Sequence, residues 1–157
     1  MELSFYSIPG IEEPMDQFIE RTLVSVFGVP MENIMIKKRS KHLVIPRMSY
    51  VTAMCRYNGN TQWGMSSLIF DRWGINYDHS TVHHAEETIE GVYLPGKVSN
   101  ATDRIFAGKV QEFFEIVKSE YKRQHQKRSN ENNSSIRTGE RIRIAEINML
   151  VAKGKLS

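Results

Sequence analysis

Cysteine is almost missing from this chain. Cys55 is the one thiol in 157 residues, so no disulfide can close within the chain, and the usage agrees with a reducing compartment. Cys55 sits among apolar helical positions and is expected to pack. Long apolar runs are absent too: nothing approaches the roughly 18 to 20 residues of a membrane span, so no membrane partner is expected. The start, Met1-Glu2-Leu3-Ser4-Phe5, lacks the basic and apolar regions of a secretory signal, which gives a cytoplasmic, nucleoid-associated expectation. No segment alternates with the period of a strand, leaving an all-α fold. No Ser/His/Asp ordering, carboxylate pair or Cys/His cluster stands out. The expectation is therefore no enzyme activity, no cofactor and no metal.

Charge of one sign is also missing in bulk, since the net value is only +3. A global electrostatic attraction to nucleic acid is accordingly weak. Distribution says more. Residues 1–100 hold 9 Lys/Arg against 11 Asp/Glu, yet the stretch from Lys37 to Arg47 holds five basic residues and no acid. Residues 101–157 hold 12 basic against 7 acidic. Cations are thus focused in one loop and in the C-terminal part, a pattern suited to gripping a phosphate backbone locally.

The apolar residues are spaced for helices. Met15, Phe18, Ile19, Leu23 and Val26 share one face, which predicts a first helix at about 14–27 ended by Gly28. Pro46, with its fixed φ and missing N–H, predicts the start of a second at about 46–57, stopped by Asn58-Gly59-Asn60. A short helix over about 65–73 carries Leu68, Ile69 and Trp73 inward. After the turn Gly74-Ile75-Asn76-Tyr77, the next runs from Asp78 to about Tyr93 with Val82, Ala85 and Ile89 on one side. Two helices so joined form a helix-turn-helix, whose second member inserts its N-terminal residues into a major groove. A long helix is expected over about 103–125. The domain boundaries are placed at 14–127, with an Asn/Ser-rich linker at 128–139 and a short basic helical tail at 140–157.

Three stretches in this order, the basic loop Lys37-Lys38-Arg39-Ser40-Lys41, then Pro46-Arg47, then Asp78-His79-Ser80-Thr81-Val82-His83-His84-Ala85, resemble the C-terminal DNA-binding domain of the bacterial replication initiator DnaA. The resemblance covers roughly residues 15–121. It implies a helical bundle with a helix-turn-helix that binds double-stranded DNA in initiation or regulation of replication. It implies base contacts from Arg39, in the minor groove, and from Asp78, His79 and Ser80 in the major groove. It implies phosphate contacts from Ser40, Lys41, Arg47 and Thr81, to which the loop cations Lys37 and Lys38 are added on charge. The chemistry agrees: a guanidinium suits a narrow A·T-rich minor groove, a carboxylate accepts from cytosine N4, and imidazole and hydroxyl can each meet a base edge. Asp78 is also placed to cap its helix, and His84 matches a structural histidine near the helix core.

The chain departs from the family pattern at several points. His83 replaces an aliphatic residue, Phe70 stands where glycine is usual, and Tyr77 replaces the Arg or Lys that often precedes the aspartate. Arg47 to Trp73 is about four residues longer, with the surplus in Asn58 to Trp63. A bulky Phe70 should open the helix crossing or turn toward another surface, and a buried His83 would need a hydrogen-bond partner. At this length the chain is too short to add a nucleotide-hydrolysing domain of the kind the full initiator carries. Two other patterns are incomplete. Gly91 to Lys97 imitates a P-loop but has Val98 where a hydroxyl is required, and His79 with His83 has the spacing of metal ligands without a third. Alternatives to replication are transcription regulation, or a degenerate helix-turn-helix serving as a protein-interaction module. The tail could bind another replication protein or a second copy.

Overall fold

The computed structural model describes residues 13–152, with side-chain surroundings through residue 126. Among the described residues every regular element is helical, as the missing period-2 pattern predicts. The chain divides into two compact units, one up to Tyr121 and one from Lys122 onward.

The first helix, α1 (Met15–Phe27), begins after Pro14 and ends at Gly28, whose φ of 69° is the left-handed conformation that suits glycine. A short helix, α2 (Met31–Ile34), leads into the basic loop. The third, α3 (Lys41–Tyr57), starts five residues before Pro46, not at it. A proline at that position forfeits the bond to the His42 carbonyl and disfavours helical backbone at Ile45. Burial of Leu43 and Ile45, 5% and 2% exposed, outweighs that cost. From Ile45 to Met54 every residue of α3 is buried, so it is the central helix around which α1, α2, α4 (Gln62–Trp73) and α5 (His79–Thr88) pack.

The hydroxyls this burial encloses are satisfied locally. Ser49 donates to the Ile45 carbonyl at 2.8 Å and Thr52 to the Met48 carbonyl at 2.8 Å. Tyr50 is fully buried, donates to Glu20 at 3.2 Å and meets Trp73 edge to face, with ring centroids 6.0 Å apart. Glu20 also pairs with Arg72, which ties α4 to α1. After α5 the chain passes into a π-helical turn at Ile89–Tyr93, and Phe113, Phe114 and Val117 of the last helix complete the core.

That last helix, α6, runs Ala101–Ala152. The stretch 128–139, expected as a linker, is helical. Asn and Ser lower helix propensity by less than about 1 kcal/mol each, and no proline interrupts the run. The tail cations and apolar stripe over 140–157 lie outside the residues whose side chains are described. No helix among the described residues is long and apolar enough to cross a membrane.

Cys55 is half-buried on α3, and burial, helped by a hydrogen bond to Glu86, pushes its thiol up to about 12. It is therefore expected to stay protonated and to resist thiol-disulfide reagents at pH 8 in the folded protein, then to react at the rate of a free thiol in denaturant. Equal rates in both states, measured with a chromogenic disulfide, would contradict this packing.

Candidate nucleic-acid interface

The site is built around an arginine that does not face solvent. Arg47 is 8% exposed, and its guanidinium reaches back across the chain to the carbonyls of the preceding loop. Nε donates to Ile34 at 2.8 Å, while Nη2 donates to Ile36 and to Lys38 at 3.2 Å. Desolvation lowers its pKa, yet a guanidinium stays charged, so the converging carbonyl dipoles are what stabilise the cation. Three of the five guanidinium N–H donors, on the side chain from which a phosphate contact was expected, are thus engaged within the protein.

Those bonds turn the loop carbonyls inward, while Lys37, Lys38, Arg39 and Ser40 are all exposed. Arg47 also neighbours Tyr77, the residue that leads into α5. Burial pushes the Tyr77 phenol up to about 12, with the Arg47 charge pulling the other way. One buried cation thus bonds the basic loop and acts electrostatically on the approach to Asp78.

Asp78 caps α5. Its Oδ1 accepts from the Thr81 backbone N–H and from the Thr81 hydroxyl, both at 2.8 Å. These bonds hold the carboxyl below its ordinary value. The expected cap is present, and it engages the only hydroxyl proton of Thr81, so a donor bond from Thr81 to a phosphate requires that proton to leave Asp78. Ser80 is exposed, His79 half-buried.

Lys41 is exposed but engaged. Its ammonium lies 2.9 Å from Asp103, which is also held by Asn100 at 2.8 Å at the start of α6. The pair raises the lysine pKa and lowers that of the carboxyl. Ser40 precedes α3 without capping it, because its hydroxyl bonds the His42 ring.

Two positions that depart from the expected pattern, His83 and Phe70, find individual solutions. His83 is exposed, bonded to Gln62 at 3.1 Å and to Glu87 at 2.8 Å. Phe70 turns outward and is 60% exposed, which spares the crossing of α4 and α5. His84 is exposed, so the core role expected for it is corrected: Val82 and Ala85 occupy the buried face of this turn. Gly91, the first residue of the P-loop imitation, lies in the π-helical turn.

Sequence reasoning missed Trp63. It is 67% exposed on the first turn of α4, and its indole stacks on the His79 ring with centroids 3.8 Å apart and planes 18° from parallel. The signal was its place in the surplus segment between the helices. Apolar periodicity finds core residues and passes over an exposed tryptophan.

No family model, curated protein or solved structure matches this chain, so the resemblance to DnaA rests on the motif residues themselves.

The cap gives a pH dependence with a defined sign. The folded pKa of Asp78 lies below its unfolded value, so its contribution is complete above the ordinary 3.8 and is lost as pH falls through the folded value. Asp78→Ala should lower the melting temperature at pH 7, and the gap from wild type should shrink as pH drops below about 4. A gap independent of pH in thermal unfolding would show that the ionised carboxylate is not the cap. Separately, Arg47→Met should cost roughly 2 to 4 kcal/mol in denaturant unfolding, because inward-facing carbonyls lose a charged donor.

Proposed function

We propose that this chain binds duplex DNA sequence-specifically in the manner its sequence resembles, with α4 and α5 as a DnaA-like helix-turn-helix. In this reading the start of α5 enters the major groove and the basic loop lies along an adjacent minor groove. The observation that carries the reading is the position of Arg47. It ties the carbonyls of Ile34, Ile36 and Lys38, and its charge reaches Tyr77, so one interior group holds the loop that carries the exposed cations and lies within electrostatic range of the approach to α5.

Arg39 is the minor-groove residue, since it is exposed in the loop and a weakly hydrated planar cation gains most from a narrow A·T-rich groove. Asp78, His79 and Ser80 face base edges. Lys37, Lys38, Ser40 and Lys41 meet phosphates, Lys41 by exchanging Asp103 for a phosphate oxygen. Thr81 is a weaker candidate for a phosphate because its hydroxyl already serves Asp78. The bound site serves initiation or regulation of replication, and the same binding would serve a transcription regulator. No catalytic step, metal or cofactor is part of this reading. Phe70, exposed on α4, favours a second reading in which this face meets another protein.

Selection of bound sites from random duplex DNA, followed by titration across salt, tests the proposal. Arg39→Ala should cost about 1 to 3 kcal/mol on the selected site and relax preference at an A·T-rich edge. Lys41→Ala should weaken all duplexes alike and flatten the salt slope by about one. Equal weakening of selected and random DNA by both variants would remove the minor-groove role of Arg39.

A further inference from the structure

Trp63 has no place in the core and no place in the family motif, yet its position is closely determined. Thr61 caps α4 by accepting from the Gly64 N–H at 3.0 Å, which fixes the turn that carries the indole. The neighbouring Gln62 reaches His83 on α5 at 3.1 Å, so the start of α4 is tied to the first turns of α5. One face of the indole covers the imidazole of His79, the first residue of α5. The rest of the ring meets solvent, leaving it 67% exposed.

An exposed tryptophan leaves a large apolar area in water, and an imidazole beneath it covers only part of that area. The uncovered surface is flat and apolar, with one N–H donor. In a groove those properties match the deoxyribose wall and the thymine C5-methyl, with the N–H directed at a phosphate oxygen. The ring lies against one of the three α5 residues assigned to base edges, and the exposed cations Lys37, Lys38 and Arg39 supply the complementary charge for a phosphate backbone.

We propose that Trp63 is a DNA-contacting residue that extends the reading surface of α5: its indole fixes the His79 ring and packs against sugar and thymine methyl beside the bases α5 reads. This rests on the duplex-DNA reading above. It adds a specificity-determining residue from the segment in which the chain exceeds the family spacing.

The test uses the full chain as wild type, Trp63→Ala and Trp63→Phe, each checked for unchanged helicity. Site selection comes first, then titration of the selected duplex and a random duplex, with intrinsic fluorescence recorded. Wild-type emission should change on binding, and the change should vanish in Trp63→Phe, which retains Trp73 as its only indole. Trp63→Ala should lose about tenfold on the selected duplex and much less on random DNA, with altered preference next to the position read by His79. Trp63→Phe should recover most of that affinity, since the ring persists. If the wild type selects no motif, the DNA reading fails and this inference with it. If a wild-type motif exists and Trp63→Ala keeps it with an unchanged specific-to-random ratio, only the role of Trp63 is overturned. Loss of self-association in Trp63→Ala with that ratio unchanged would assign the indole to a protein interface, which also overturns it.

Discussion

The buried guanidinium of Arg47 is the constraint on which the candidate interface depends. A cation enclosed beside the central helix must be solvated by the protein, and here loop carbonyls do it. Satisfying them from inside the protein leaves the side chains of Lys37, Lys38 and Arg39 in solvent, where like charges are screened. A basic loop of this composition would otherwise have many conformations. Binding would then carry the cost of ordering it. The charge of the same guanidinium is also felt at Tyr77, the residue before Asp78, where it opposes the effect of burial on the phenol.

The helix starts are arranged by a second kind of constraint, the need of the first N–H groups for acceptors. Asp78 and Thr61 each meet it with a side chain, whereas at the start of α3 the Ser40 hydroxyl bonds His42 and the Ser40 carbonyl accepts from the Leu43 N–H at 2.9 Å. The caps of α4 and α5 explain how Trp63 and His79 come into register as a stacked pair. They also show a conflict within the motif, because Asp78 and Thr81 are bonded to each other and are both candidates for DNA. A carboxylate can serve as cap and acceptor at once through its two oxygens. A hydroxyl has a single proton to give.

Much of this was legible in the sequence. The apolar spacing of Met15, Phe18, Ile19 and Leu23 gives α1, Gly28 and Gly74 mark real helix ends, and Asp78 followed by Thr81 gives a real cap. Other features were not legible because they are decided by tertiary contacts. Pro46 reads as a helix start, but buried Leu43 and Ile45 carry the helix across it. Arg47 reads as one more cation, since sequence does not distinguish an arginine that meets phosphate from one that holds a loop. His84 reads as interior by resemblance, although Val82 and Ala85 fill that face. The Asn/Ser-rich stretch reads as a linker because its composition lacks apolar spacing, and its backbone is nevertheless helical. Trp63 escaped every pattern, as its position follows from a cap and a stack.

The central proposal is that the loop, whose carbonyls Arg47 binds, and the start of α5 form one DNA-facing surface. Backbone amide shifts measured on isotope-labelled protein during titration with duplex DNA test it most directly. The account predicts that amides of 36–41 and 78–81 move together, with the same midpoint and the same weakening at higher salt, while those of 17–26 on α1 stay in place. Shifts confined to α1 or the π-helical turn, or loop and α5 amides that saturate at different DNA concentrations, would contradict it.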